Sequence, residues 1–184
     1  MKKTAVVVLA EGFEEIEAVT PVDILRRAGL TVTLAGLGKT QIKGANGITL
    51  HADMTLESFT GLPDAVVLPG GALGASNLGE SAAVKALLTR MRDAKKLIAA
   101  ICASPAMVLA RQGFLDGKKA TCYPGYEKNF SSRITFSDAR VVVDGNVVTS
   151  RGPGTSLEFS LELVRLLVGE DVAADILEKT IAKI

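Results

Sequence analysis

The sequence predicts an α/β domain with a mostly parallel sheet covered by helices on both faces. Three observations predict it. Strand and helix patterns alternate along the whole chain. The strands read as continuous apolar runs, such as residues 5–10, which suits strands buried on both faces. Several of them end in unusual turns that lead toward a helix, and such alternation implies crossovers lying on the sheet.

Residues 4–10 are the first buried strand. A helix over 14–28 follows and stops at Gly29, with Arg26 and Arg27 at the negative end of its dipole. Residues 31–35 are a strand, and 42–50 a small β-excursion turning at Ala45–Asn46–Gly47. The strand 64–68 ends at Pro69–Gly70–Gly71. Residues 81–92 form an amphipathic helix with Val84, Leu87, Leu88 and Met91 on one face. The strand 97–101 stops at Cys102. Ser104–Pro105 then opens a helix that ends near Gly113, proline fitting a first turn that has no use for its missing N–H. Residues 119–122 read as a short strand. Residues 140–143 and 147–150 flank Asp144–Gly145–Asn146, a strong hairpin signal. A helix over 155–168 opens with Thr155 and Glu158 as a capping box, and 171–183 form the last helix.

The chain of 184 residues suits one domain spanning 1–184. Twenty-one basic and 20 acidic residues are interspersed, so there is no nucleic-acid stripe and no acidic tail. No apolar run spans a bilayer, and Met1–Lys2–Lys3 leads into the first strand without a secretory pattern. Two cysteines, not spaced C-x-x-C, fit a reducing cytoplasm. With one histidine, no zinc cluster is expected; neither a metal nor an organic cofactor is predicted.

Cys102 is the leading candidate for chemistry. A side chain at a strand-to-helix corner sits above the carboxyl edge of the sheet, where open α/β sheets bind ligands. It also faces a helix N-terminus, an arrangement expected to lower a thiol pKa and favour the reactive thiolate over an inert core cysteine. The turns at residues 10–12 and 68–71 open on the same edge, and Gly70–Gly71 brings backbone N–H groups where an oxyanion could sit. A plain tight turn is the blander reading of that pair. Glu17 shares a helix face with Pro21, Ile24 and Ala28, which desolvates its carboxyl and raises its pKa. It can then donate to a thiolate or carry a proton; Glu14 is the next choice. His51 lies away from the corners and reads as a surface or interface residue. Tyr123 is better positioned. Cys122 reads as a small core residue with a secondary redox role open. Arg151 lies in Ser150–Arg151–Gly152–Pro153–Gly154–Thr155–Ser156, which reads equally as a capped helix start or as a rim meeting an anion or a second subunit.

Several stretches together resemble the ThiJ/PfpI superfamily, in its Parkinson-disease-associated deglycase branch. They are Leu9–Ala10–Glu11–Gly12–Phe13–Glu14–Glu15–Ile16–Glu17–Ala18–Val19, Pro21–Val22–Asp23–Ile24–Leu25–Arg26–Arg27–Ala28–Gly29, Val66–Val67–Leu68–Pro69–Gly70–Gly71, Asn77–Leu78–Gly79–Glu80–Ser81, Ala99–Ala100–Ile101–Cys102–Ala103 and Thr149–Ser150–Arg151–Gly152–Pro153–Gly154–Thr155. The resemblance covers essentially the whole chain. It implies a flavodoxin-like three-layer α/β sandwich with a nucleophile elbow, assembled as a homodimer. It implies Cys102 as nucleophile and oxidation-sensitive thiol, Glu17 as its acid, and Gly70, Gly71 and Ala103 as backbone donors around the sulfur. The implied activity is that of a cofactor-free glyoxalase III or deglycase acting on methylglyoxal, glyoxal or early glycation adducts. The alternative is a redox-sensing holdase with little turnover.

Three departures qualify it. Ala103 stands where the protease-like branch has histidine, which disfavours a peptidase. Tyr123 stands where the human-like branch has histidine, and tyrosine is a poor base near neutrality. Ser104 replaces the usual glycine and adds a hydroxyl at the helix start.

Overall fold

Thr4–Leu9 forms strand β1 because Ala5, three valines and Leu9 can be apolar toward both faces at once. The computed structural model describes residues 2–183; Met1, the first residue of the predicted lead-in, lies outside them. After β1 come helix α1 (Glu15–Arg27), β2 (Thr31–Gly36), the short strands β3 (Gln41–Lys43), β4 (Thr49–His51) and β5 (Met54–Thr55), and β6 (Ala65–Leu68). Helices α2 (Ala72–Glu80) and α3 (Ala82–Asp93) lead to β7 (Leu97–Ile101) and then to a π-helix over Pro105–Ala110. Strands β8 (Lys119–Ala120), β9 (Thr135–Phe136), β10 (Val141–Asp144) and β11 (Val147–Ser150) precede α4 (Ser156–Leu167) and α5 (Glu170–Lys179).

Seven strands make the central sheet in the order β10-β11-β7-β6-β1-β2-β5. All neighbours are parallel except the β10–β11 hairpin. Side chains on one strand face alternate sides, and the two cores follow that rule. Ala5, Val7 and Leu9 pack with Ile24 and Leu25 of α1, Phe159 and Leu163 of α4 and Ile176 of α5. Val6 and Val8 pack with Leu78 of α2, Leu87, Leu88 and Met91 of α3, and Val108 and Leu109 of the π-helix. Phe13 and Phe159 are buried almost completely, each stabilising the fold by about 2–3 kcal/mol. The architecture is therefore a mixed, mostly parallel sheet between helical layers, a flavodoxin-like α/β fold.

Some local expectations are corrected. Helix α2 is unpredicted: Gly74 and Gly79 argue against a helix, but packing against the π-helix overrides propensity. The capping box at Thr155 does not form. Its hydroxyl bonds to the Gly152 backbone within a 3₁₀ turn over Pro153–Thr155, α4 starts at Ser156, and Glu158 pairs with Arg140. The strand predicted over 119–122 keeps two residues, paired with unpredicted β9. The last helix ends at Lys179, because the Thr180 hydroxyl bonds back to Ile176 and Ile181 adopts a left-handed conformation. Among the described residues, no helix is long and apolar enough to cross a membrane.

Candidate active site

The strand order reverses at β1 and β6: β2 and β5 extend from β1 one way, and β7 and β11 extend from β6 the other. Open α/β sheets place ligands at such a reversal, outside the carboxyl ends of the strands. Three chain segments leave the sheet there. Residues 10–13 follow β1, Pro69–Gly70–Gly71 follow β6, and Cys102 follows β7.

Cys102 sits on a strained corner. Its φ is +66°, a left-handed conformation uncommon outside glycine, and its N–H donates to the Ser150 carbonyl at 3.0 Å. The side chain is only 8 % exposed. Strand, left-handed residue and helix in sequence make a sharp elbow, and strain of this kind gathers at functional sites.

Glu17 reaches the same point from α1. Glu14 caps this helix by accepting the Glu17 N–H at 2.8 Å. The Glu17 side chain is fully buried, and its Oε2 accepts the Gly70 N–H at 2.7 Å. Oε1 is buried without a hydrogen-bond partner, and the Cys102 thiol and Glu17 Oε2 both border the space left by the missing Gly70 side chain. A Cβ on Gly70 would stand 2.5 Å from Cys102 Cβ and 2.6 Å from Glu17 Oε2. Only glycine leaves room for thiol and acid to meet.

The backbone donors divide their work. The Gly71 and Ala103 amides neighbour the Cys102 sulfur and favour its thiolate form. Gly70 was expected to do the same; its N–H is instead taken by Glu17, so it holds the acid and not the sulfur.

Electrostatics follow from burial. Burial pushes the Glu17 carboxyl up to about 7; the Gly70 N–H and the Cys102 thiol pull the other way, and the charge of Glu14 adds a smaller rise. Burial likewise pushes the Cys102 thiol up to about 12, with the charge of Glu17 as the next cause. This reverses the expectation of a thiol pKa lowered by the corner: the Gly71 and Ala103 amides do favour the thiolate, but they are outweighed. Thiol and carboxyl compete for one negative charge. When Glu17 carries the proton, its repulsion vanishes and the acid becomes a donor to sulfur.

The remaining predicted residues separate. Ser104 is fully buried, and its hydroxyl donates to the Pro69 carbonyl at 2.6 Å. Tyr123 is 44 % exposed; its N–H donates to the Cys102 carbonyl at 2.8 Å and its ring lies against Gly152. Arg151 donates to the Asp138 carbonyl at 3.0 Å and braces that loop. His51 is exposed on β4, paired with Gln41 in the small hairpin. Cys122 is buried, and burial followed by the charge of Glu127 pushes its thiol up to about 12. Both cysteines are free.

Three contributions were not foreseen. The carbonyls of Ser150 and Pro69 anchor the elbow and the glycine turn, roles that side-chain patterns do not reveal. Glu15 is buried and accepts from the Asn46 N–H, the Asn46 side chain and the Ile48 N–H, tying the β3–β4 hairpin to α1. Helical spacing turns Glu15 to a different face from Glu17, toward Val19, Val22 and Arg26; its partner was not legible. Among the described residues, no three His, Cys, Asp or Glu side chains gather as a metal site. A groove of about 470 Å³ beside the π-helix is lined by Ala106, Met107, Arg111, Tyr126 and Asn129, without Cys102 or Glu17. Tyr126 packs edge-on against Tyr123, with ring centres 6.2 Å apart.

Comparison with known proteins agrees with this geometry. The family model described as the DJ-1/PfpI family matches residues 3–166. The chain is 47 % identical to the Parkinson disease protein 7 homolog of Danio rerio, covering 98 % of each. It is 34 % identical to the glutathione-independent glyoxalase DJR-1.2 of Caenorhabditis elegans, over 96 % of this chain and 95 % of that one. The crystal structure of Drosophila melanogaster DJ-1beta superposes with a TM-score of 0.96 at 38 % identity, covering all of both chains.

Proposed function

The chain belongs to the DJ-1/PfpI family, and from that premise we propose that it is a cofactor-independent glyoxalase III and deglycase, with Cys102 as nucleophile and Glu17 as proton carrier. The family includes a member named as a glyoxalase, which supports enzymatic activity on a small aldehyde. The observation that carries the reading is the fully buried Glu17 carboxyl sharing with the Cys102 thiol the space that Gly70 leaves open.

The chemistry balances on this chain's own groups. Glu17 takes the thiol proton as sulfur adds to the aldehyde carbon of methylglyoxal, and returns it to the new oxyanion, giving a hemithioacetal. Amides near the sulfur stabilise the oxyanion while it lasts. Glu17 then removes the hydrogen from the former aldehyde carbon and delivers a proton to the neighbouring carbon through an enediol. The result is a lactoyl thioester. Water hydrolyses it, releasing lactate and restoring the thiol. The same attack on an aldehyde-derived adduct gives deglycase activity.

We take the protein as a homodimer in a reducing cytoplasm; exposed Ile16, Val19 and Ile48 are apolar side chains a second copy would cover. Gly71, Ala103, Tyr123, Glu14 and Arg151 are the proposed surroundings of the thiol. The test is methylglyoxal consumption by the purified protein. Wild type turns over, with kcat/KM rising as pH passes through about 7, where Glu17 becomes a base. Cys102→Ser activity equal to wild type overturns the mechanism. Redox sensing through Cys102 is the second reading, favoured by the small part of Cys102 that solvent reaches while Cys122 is wholly buried. Mild peroxide then adds oxygen to Cys102 and spares Cys122, as peptide mass mapping reads.

A further inference from the structure

Two hydrogen bonds end on the two sides of one peptide group. The Ser104 hydroxyl donates to the Pro69 carbonyl oxygen at 2.6 Å. The Gly70 N–H, across the same planar unit, donates to Glu17 Oε2 at 2.7 Å. All the side chains involved are fully buried, so water does not compete for either end. Ser104 stands at the start of the π-helix, where a serine ordinarily caps its own helix, yet its hydroxyl makes no such cap and turns back to the β6 turn.

We propose that Ser104 is a positioning residue for Glu17, acting through the peptide that joins Pro69 to Gly70. The effect has two parts. The hydroxyl fixes the rotation of a peptide next to a glycine, so the N–H keeps its aim at Oε2. A bond accepted by a carbonyl also polarises its amide, making the N–H a stronger donor. A stronger donor favours the ionised carboxylate and works against burial, and the Gly70 bond is the leading influence holding Glu17 down. Ser104 thereby helps decide when Glu17 can act as a base. This rests on reading Glu17 as the proton carrier, but its test uses no substrate.

The experiment is carbon-13 titration of glutamate-labelled protein, with the Gly70 amide proton followed in nitrogen-15 spectra. Ser104→Ala moves the Gly70 proton upfield and raises the Glu17 midpoint by roughly 0.2–0.6 pH unit. Ser104→Cys, which keeps a weaker donor, gives smaller shifts of the same sign and carries the test if the alanine variant does not fold. Thermal melts establish which variants are folded. A folded variant with an unmoved Gly70 resonance and an unmoved Glu17 midpoint overturns the proposal. Absence of methylglyoxal turnover in wild type would instead sink the functional reading and leave these shifts as they are.

Discussion

Glu17, on the helix that follows β1, and Cys102, at the end of β7, approach from the two sides of β6 and meet across the missing side chain of Gly70. The acid, the thiol and the glycine are one unit, since each occupies space or bonds that the others leave free.

Gly70→Ala tests that unity. Its methyl group falls within 2.6 Å of both Cys102 Cβ and Glu17 Oε2, far inside contact distance. Overpacking a rigid site costs about 1–3 kcal/mol. We expect a lowered denaturation midpoint together with loss of methylglyoxal turnover; a variant with wild-type melting and activity refutes the packing argument.

Glu17→Gln has a pH-dependent effect on stability. Burial raises the Glu17 pKa from 4.5 in the unfolded chain to about 7 in the fold. The folded state therefore binds the proton more tightly, and this contribution to stability is full below 4.5 and lost as pH rises through 7. The loss reaches at most about 3 kcal/mol. Glutamine carries no charge, so Glu17→Gln should equal wild type near pH 4 and melt higher above pH 7. Parallel melting curves at every pH would show that Glu17 ionises freely.

Cys102→Gly and Cys102→Ala differ by one buried methyl group, by the freedom of glycine in the unfolded chain and by the cost of the corner, which is the largest of the three at a left-handed position. At φ +66° an alanine retains the strain that glycine does not. Cys102→Gly should be the more stable of the two by about 1 kcal/mol in urea unfolding. Equal midpoints would mean that the elbow holds no strain.

Tyr123→His supplies an imidazole on the exposed side of the site. The tyrosine ring is half-exposed, so stability should change by less than about 0.5 kcal/mol. Turnover should rise, with a second ionisation in the pH profile. An unchanged rate would show that a base at this position does not limit the reaction.

Much of the site was legible because its parts are local. A strand that ends in cysteine before serine and proline announces a corner, and the apolar face Pro21, Ile24 and Ala28 announces a buried Glu17. What was hidden depends on contacts between distant segments. Nothing in Pro69–Gly70–Gly71 says which of two adjacent N–H groups turns to the acid and which to the sulfur; that is fixed by where α1 lies on the sheet. The thiol pKa was misjudged for the same reason. The helix start was visible, but the degree of burial and the nearness of a carboxylate were not. Helix α2 was missed because its glycines are read as breakers until the π-helix packs on it.

Glu17, Gly70 and Cys102 meet only when β1, β6 and β7 lie side by side. A chain that has not yet closed this part of the sheet has the cysteine without its acid beside it, so the reactive pair is completed by the last step of assembly and not by any one segment.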